Sequence, residues 1–267
     1  MHAKRLIRLL PLALLALGGC ATPDEPVMRE AEIAALTAAN LTERHSFDSG
    51  DCVLRYRMHA PRARFLRRYP LVLLLHGSGE RGGDNDAQLR HGATQICRYA
   101  LRHGDAYVVV PQCPPDDVWS AADWSKSEMT RSPRPTRTMA AVLALVDDLV
   151  RRFPVDKDRI YVTGLSMGGY GAWDAPTRRP GLFAGILPIC GGVDEKTAEM
   201  YRGMNIRFVH GAEDPAVSVE YSRRMHRALD ALGIRHAYME YPGVGHDSWS
   251  RAYGDDRVLA WLFACRR

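Results

Sequence analysis

The sequence predicts an α/β protein with a mostly parallel, doubly wound sheet and helices on both faces of that sheet. Two observations lead to this prediction. After about residue 44, segments with strand character alternate with segments of helical periodicity, and this alternation is typical of a parallel sheet. Strands such as Leu71–Leu75 are also apolar throughout, as expected when helices cover both faces of a sheet.

Seven strands are predicted, each a short apolar run bounded by turn-forming residues. They lie at residues 51–58, 71–75, 106–111, 159–163, 183–189, 205–210 and 236–241. Five helices are predicted from apolar residues that recur with helical spacing. They lie at residues 86–102, 136–152, 167–178, 218–232 and 255–264.

Residues 112–135 interrupt this alternation. The stretch is rich in proline and contains Trp119 and Trp124. A loop of this length is uncommon inside a compact domain and usually has a function. We therefore expect it to lie near a ligand site.

The first nineteen residues have the character of an export signal. A basic start that includes Lys4 and Arg5 precedes the apolar run Leu9–Leu17, which is too short to span a bilayer as a stable helix. Leu17–Cys20 then resembles a bacterial lipobox, in which cleavage exposes Cys20 for acylation. The alternative is a plain secretory signal with an incidental cysteine.

Lipidation of Cys20 would make the membrane a partner of this chain through its N-terminal lipid. Ala21 in the next position resembles lipoproteins sent to the outer membrane of Gram-negative cells, which would place the protein at that membrane, facing the periplasm. Residues 20–45 are then a lipidated tether, and residues 46–267 are the catalytic domain.

Charge gives no indication of a nucleic-acid partner. Three of the 36 Lys and Arg residues lie in the leader, which leaves 33 against 31 acidic residues. The basic balance therefore belongs largely to the export signal and to an arginine-rich surface, and it implies no nucleic-acid partner. The 248 residues that follow the leader suit a single α/β domain with a substantial core.

An odd number of cysteines remains once Cys20 is lipidated. In an oxidising compartment one or two disulfides are expected, and Cys97 with Cys113 is the predicted pair because they are close in sequence. No C-x-x-C or H-E-x-x-H spacing is present, so neither a structural nor a catalytic zinc site is expected. The remaining cysteines are Cys52, Cys97, Cys113, Cys190 and Cys265.

Residues Gly164–Gly168 form the pattern G-x-S-x-G between a predicted strand and a predicted helix. On so tight a turn the hydroxyl of Ser166 is exposed, and the flanking glycines avoid steric clashes. Ser166 is therefore the candidate nucleophile. The alternative is an ordinary strand–turn–helix corner with a solvated serine.

A serine nucleophile needs a base, and the base needs an orienting carboxylate. His246 is the candidate base because it lies on a glycine-rich loop after the last strand, whereas His226 and His236 have the positions of surface residues. The acid should follow the preceding strand, where Asp214 is the best candidate. Glu213 is an alternative, and Asp194 after the strand before is a less favoured one.

Two backbone N–H groups should bind the oxyanion. Met167, the residue after the serine, supplies one, and the turn after strand 71–75 supplies the other, with Ser78 preferred and Gly79 next. This turn formally contains G-x-G-x-x-G. A dinucleotide site would need a helix to begin at once and an acidic residue at the end of the next strand, so no cofactor is expected.

These motifs together resemble the α/β-hydrolase superfamily over about residues 47 to 267. They are His76–Gly82, Gly164–Gly169, His210–Gly211 with Asp214, and Gly245–His246. Within the superfamily the chain resembles secreted esterases near dienelactone hydrolases, feruloyl esterases and polyhydroxybutyrate-depolymerase-like proteins, some labelled predicted peptidases. Dienelactone hydrolase itself has a cysteine nucleophile, and the serine here favours ester hydrolysis over that ring opening.

The resemblance implies an α/β-hydrolase fold with Ser166 as nucleophile, His246 as base and Asp214 as its orienter. The expected activity is hydrolysis of a small-molecule carboxylic ester through an acyl-enzyme. A serine peptidase, an acyltransferase and a non-catalytic lipid-anchored binding protein are the alternatives. Trp119, Trp124 and Trp249 are expected to wall the substrate pocket, with ordinary packing as the alternative.

Overall fold

A computed structural model describes residues 41–62, 66–121 and 129–267 of the chain. An eight-stranded sheet forms its centre, and the strands occur in the order β1-β2-β4-β3-β5-β6-β7-β8. The strands are β1 Arg44–Asp48, β2 Val53–His59, β3 Tyr69–Leu75, β4 Tyr107–Gln112, β5 Val155–Leu165, β6 Gly185–Ile189, β7 Asn205–Gly211 and β8 His236–Tyr241. Strands β3 to β8 are parallel, and β2 runs antiparallel to both β1 and β4.

Six α-helices of the described residues connect or follow these strands. They are α1 Ala93–Arg102, α2 Arg137–Arg152, α3 Met167–Arg178, α4 Glu220–Ala231, α5 Ser248–Gly254 and α6 Asp256–Ala264. Three short 3-10 segments lie at Ser78–Glu80, Ala87–Leu89 and Glu195–Tyr201. The predicted fold class, a mostly parallel doubly wound sheet of the α/β-hydrolase type, is confirmed.

The strand β3 shows why both faces of the sheet are covered. All seven of its residues are buried, and successive side chains point to opposite faces. Leu71 and Leu73 pack in a cluster with residues of α2, α3 and α4. Val72 and Leu74 pack in a second cluster with residues of α1, α5 and α6. Burial of each such side chain stabilises the fold by about 1.5–3 kcal/mol.

Three elements differ from the sequence prediction. The edge strand β1 was not predicted, and it begins two residues before the expected start of the catalytic domain at residue 46. The helix expected at 86–102 begins only at Ala93, because residues 87–89 form a 3-10 turn and Gly92 has φ of +79°. The short helix α5 was also not predicted.

The predicted Cys97–Cys113 disulfide is wrong. Each of the five cysteines in the described part of the chain has a free, buried thiol. Cys97 packs against the face covered by α1, α5 and α6, whereas Cys113 packs against the opposite face. The pair was predicted because the two cysteines are close in sequence, but the sheet separates their side chains.

The export signal, Cys20 and most of the tether lie outside the described residues. Across the described ranges, every helix is too short or too polar to cross a bilayer.

Candidate active site

Ser166 lies at the sharp turn between β5 and α3. Its backbone has φ of 53° and ψ of −120°, a left-handed conformation that is unusual for a residue with a side chain. The turn is held on both sides, because the Ser166 N–H donates to the Ile189 carbonyl at 3.0 Å and the Ser166 carbonyl accepts from the Tyr170 N–H at 3.1 Å. The serine hydroxyl is thereby presented at the carboxyl edge of the sheet.

Position 168 requires glycine because the turn passes close to β3 there. A Cβ added at Gly168 would overlap the carbonyl group of Leu75. Since the obstructing atoms belong to the backbone of the adjacent strand, no rotamer change would relieve the overlap. The second glycine of the G-x-S-x-G pattern therefore lets α3 begin directly against β3.

The structure brings His246 into contact with Ser166. The Nε2 atom of His246 lies 2.9 Å from the Oγ of Ser166, and its Nδ1 atom lies 2.7 Å from the Oδ2 of Asp214. Because an ionised carboxylate only accepts hydrogen bonds, Nδ1 carries the proton and donates it. The lone pair of Nε2 is then left facing the serine hydroxyl.

Asp214 is a buried carboxylate whose side chain has no exposed surface. Its Oδ1 accepts the backbone N–H groups of Ala216 at 2.8 Å and Val217 at 2.9 Å, while Oδ2 faces His246 and also His210 at 3.3 Å. Burial by itself would raise the pKa of Asp214. Hydrogen bonds from the two histidines and the two backbone amides outweigh burial and lower that pKa far below its ordinary value.

Glycine also allows the loops that carry the acid and the base to meet. A Cβ on Gly211, at the end of β7, would overlap the carbonyls of Val244 and Gly245. The loop after β8 therefore rests directly on the end of β7. This contact places His246 above Asp214.

The alternative acids and bases lie elsewhere. Glu213 is exposed, and Asp194 instead accepts hydrogen bonds from the backbone N–H groups of Lys196 and Arg131. His226 and His236 contact each other at the amino end of β8, whereas Ser166 lies at the carboxyl end of its strand.

His210 belongs to a motif of the sequence, but its contact with the acid was not predicted. Its side chain is fully buried, and its Nε2 donates to the Val217 carbonyl at 3.0 Å while facing Asp214. Its Nδ1 lies 2.8 Å from the hydroxyl of Ser222 on α4. A signal was available, since an imidazole follows the apolar pair Phe208 and Val209 near the end of β7, four residues before the acid.

A further buried histidine, His76, shapes the turn after β3. Its Nε2 accepts the Cys113 N–H at 2.9 Å, so the proton resides on Nδ1, which donates to the Gly77 carbonyl at 2.6 Å. Burial lowers the pKa of His76 to about 4 and keeps the ring neutral. Because carbonyl and N–H point in opposite directions across a trans peptide, the Ser78 N–H is directed away from His76.

The peptide between Gly77 and Ser78 lies next to Ser166. A Cβ built on Gly77 would lie 3.7 Å from the Cβ of Ser166, and both Ser78 and Gly79 are exposed. Met167 is the first residue of α3, so its N–H has no carbonyl partner within the helix. The two amides predicted to bind an oxyanion thus belong to segments that flank Ser166.

Glu80 has partners that the sequence did not indicate. Its buried carboxylate lies 3.4 Å from Arg90 and 3.8 Å from the ring of His91. Arg81 instead donates to the Ser78 carbonyl at 3.2 Å. Both side chains therefore brace the turn after β3 separately.

A free thiol lies directly beside the triad. The Sγ of Cys190 is within 4.8 Å of ligand atoms of Asp214 and His246. Burial raises the pKa of Cys190 to about 12, so the group stays a neutral thiol. It does not compete with Ser166 as a nucleophile, since the thiolate is the reactive form.

The three tryptophans have different positions. Trp119, expected to line the substrate pocket, is fully buried and donates its indole N–H to the His76 carbonyl at 2.9 Å. It is therefore a core residue that supports the turn after β3. Trp124 lies outside the described residues. Trp249 is partly exposed and stands edge-on to His246, with ring centroids 5.2 Å apart.

Solved structures with the same fold include several esterases. A thermostable esterase is 36% identical, with a TM-score of 0.78, over 84% of this chain and 63% of its own. A ferulic acid esterase aligns with a TM-score of 0.63 over 83% of this chain and 96% of its own, but at 15% identity it shows the fold alone.

Curated relatives match over part of their length. The putative esterase NocK of Nocardia uniformis subsp. tsuyamanensis is 31% identical over 147 residues, which are 54% of this chain and 40% of NocK. An uncharacterized secreted protein of Arthroderma benhamiae is 24% identical over 216 residues, which are 67% of this chain and 21% of that protein. The chain thus matches less than half the length of either.

The family comparison covers the region that contains the serine, the acid and the base. Residues 64–255 match the family described as phospholipase/carboxylesterase. This segment is well over half of the chain, and the chain therefore belongs to the phospholipase/carboxylesterase family of α/β-hydrolases.

Proposed function

We propose that this protein is a serine hydrolase that cleaves small-molecule carboxylic esters through an acyl-enzyme. One observation carries the proposal. The Nε2 atom of His246 lies 2.9 Å from Ser166 while its Nδ1 is hydrogen-bonded to a fully buried, ionised Asp214. Membership in the phospholipase/carboxylesterase family supports ester chemistry.

In the first half of the reaction, Ser166 attacks the ester carbonyl and His246 takes the serine proton on Nε2. Asp214 holds the imidazole in the required tautomer and stabilises the imidazolium that forms. Its low pKa keeps the carboxylate ionised throughout the range in which an esterase works. His246 then gives its proton to the leaving alkoxide, which leaves an ester between substrate acyl group and serine.

In the second half, His246 accepts a proton from water, and the resulting nucleophile attacks the acyl-enzyme. Both tetrahedral intermediates carry an oxyanion. We assign its binding to the backbone N–H groups of Met167 and Ser78, because both belong to segments adjacent to Ser166. Trp249 beside His246 is the proposed wall of the substrate pocket.

A fluorophosphonate probe tests the nucleophile. The probe should label the purified wild-type protein once per chain, and Ser166→Ala should abolish labelling. Ser248→Ala is a suitable control because this buried serine lies in the same part of the molecule. Absence of labelling in folded wild-type protein would contradict the proposal.

A substrate panel separates esters from the alternatives. We would compare kcat/KM for short p-nitrophenyl esters, feruloyl esters, acetylated sugars and peptide amides. The proposal requires esters to exceed the matching amides. A preference for amides would indicate a peptidase, and acyl transfer to an added alcohol in preference to water would indicate an acyltransferase.

We also propose that the chain is exported and anchored to a membrane by acyl groups on Cys20. The support is the sequence Leu17–Cys20 after a short basic and apolar leader. Several acyl chains on one residue bind a membrane far more firmly than one chain does.

A further inference from the structure

A cluster of three potential metal ligands lies where the end of α4 meets the start of β8. His226 and Asp230 are four positions apart on α4, a spacing that places both on one face of a helix. His236 is the first residue of β8. One ligand atom from each residue lies within 4.8 Å of the other two.

His236 is held in the tautomer that a metal ligand needs. Its Nδ1 donates to the Ile234 carbonyl at 2.7 Å, so the lone pair resides on Nε2. A hydrogen bond from the second ring nitrogen to a backbone carbonyl is the usual support for a metal-bound histidine. The side chain of His236 is 4% exposed, and its ring stacks on Phe208, so its orientation is fixed.

The lone pair of His236 faces the other two side chains. His226 Nδ1 lies 2.7 Å from His236 Nε2. The carboxylate of Asp230 spans both rings, with Oδ1 3.7 Å from His236 Nε2 and Oδ2 3.5 Å from His226 Nε2. Without an ion, the proton on His226 Nδ1 bridges the two rings.

We propose that His226, Asp230 and His236 bind a divalent transition metal ion of the zinc class. Two imidazole nitrogens and one carboxylate oxygen suit Zn²⁺ better than Mg²⁺ or Ca²⁺, which prefer oxygen ligands. Ligands of a tetrahedral zinc ion are about 3.3 Å apart. The two nitrogens must therefore separate by roughly half an ångström, which the partly exposed His226 permits.

The ion would fasten α4 to the edge strand and take no part in ester hydrolysis. Ser166, Asp214 and His246 follow the carboxyl ends of strands, whereas His236 begins a six-residue strand. At about 3.3 Å per residue, the two sites are on the order of 15–20 Å apart. Arg227 follows His226 in sequence, and its positive charge would repel a metal ion. Glu220 lies 3.7 Å from Arg227 and offsets that charge.

Calorimetric titration of ZnCl2 into untagged, EDTA-treated protein tests the site. We expect one ion per chain with Kd of roughly 10 µM or below, no competition by Mg²⁺, and a Tm increase of about 5–10 °C at a hundredfold excess over Kd. His226→Gln and Asp230→Asn should each weaken binding at least about tenfold. Esterase activity should be unaffected by either variant.

Two controls locate the ion. His103→Gln removes an exposed histidine outside the cluster and should bind zinc as the wild type does. The group Cys190, Asp214 and His246 is the other candidate metal site among the described residues. His246→Ala removes a ligand of that group and should still bind zinc, because the proposed ion lies elsewhere. Loss of binding in His246→Ala, wild-type affinity in both cluster variants, or no zinc binding by the wild type would each overturn the proposal. The His236 side chain is buried, and its replacement could prevent folding. Asp230 is exposed, so Asp230→Asn tests the site without that risk.

Discussion

Asp214 accepts hydrogen bonds from Ala216, Val217 and His246, and it faces His210. This environment distinguishes it from the carboxylate next to it. We predict that Asp214→Asn lowers kcat by about 10³–10⁴-fold, because the amide cannot stabilise the imidazolium and favours the wrong tautomer of His246. Glu213→Gln is the matched control and should retain activity, since Glu213 is exposed. Steady-state kinetics on p-nitrophenyl acetate, with circular dichroism to verify folding, measures both. The reverse pattern would identify Glu213 as the acid.

His210 faces Asp214 at 3.3 Å, so we expect it to act on the proposed reaction through that carboxylate. We predict that His210→Phe lowers kcat about tenfold with little change in KM, since one charge-assisted hydrogen bond to the carboxylate is lost. His210→Gln retains an N–H donor and should restore part of the loss. A change confined to KM, or equal activity in both variants, would argue against a positioning role.

His76 makes stability depend on pH. Its pKa is about 4 in the folded protein and 6.5 in the unfolded chain, so the unfolded state binds more protons between these values. The free energy of unfolding should therefore fall as pH drops from about 6.5 to 4, by roughly 2–3 kcal/mol at pH 4.5 from this residue. The depressed pKa of Asp214 affects stability only at lower pH.

Urea unfolding at pH 7 and pH 4.5 measures this dependence. His76→Gln removes the titrating group, so the difference between the two pH values should shrink by that amount even if the variant is less stable overall. Equal differences in the two proteins would show that His76 does not titrate in this range.

At the scale of single residues, the sequence predicts groups that belong to local patterns. Ser166 stands in a pentapeptide between strand and helix, and His246 and Asp214 follow from the order of strands. His210 and the partners of Glu80 depend on contacts between distant segments, which no local pattern records. Trp119 was misassigned because the same loop sequence is compatible with a core or a pocket position.

Among the elements, the turn from β5 to α3 is the most constrained. We predict that Gly168→Ala destabilises the protein by about 3 kcal/mol or more, because the added methyl group overlaps the backbone of β3. Gly254→Ala is the matched control. No atom lies within 4 Å of its added methyl group, and alanine favours a helix by up to about 1 kcal/mol. Thermal unfolding of the two variants measures the difference, and similar Tm values would contradict the prediction.

Helices and central strands were predicted because their buried residues are apolar. In the helices these residues recur with helical spacing, and in the central strands they form continuous runs. The strand β1 has the sequence RHSFD and only partly buried side chains, so it lacks that pattern. The start of α1 was placed too early since residues 87–89 favour helical turns without continuing into the helix. The helix α5 is seven residues long and begins at Ser248 beside His246, in a segment with turn-like composition.

At the scale of the whole molecule, the proposed membrane anchor depends on Cys20 in the N-terminal region. We predict that wild-type protein expressed with its leader in a Gram-negative host incorporates labelled palmitate and sediments with membranes. Cys20→Ser should lose both properties and retain the fluorophosphonate reaction of Ser166, because the partners of Ser166 are His246 and, through it, Asp214, which belong to the catalytic domain. Palmitate incorporation in Cys20→Ser would contradict the lipobox assignment.

The five free thiols in the described part of the chain have a consequence for the lifetime of the protein. In the folded state all five are buried, two on one face of the sheet and three on the other. Burial also raises the pKa of Cys113 to about 12, so the thiols react slowly with an oxidant. Unfolding returns them to ordinary reactivity and lets them pair in non-native combinations. In an oxidising solution, non-native disulfides formed in the unfolded chain prevent refolding. The half-life of the active protein is then set by the rate of unfolding and not by the equilibrium between folded and unfolded chains.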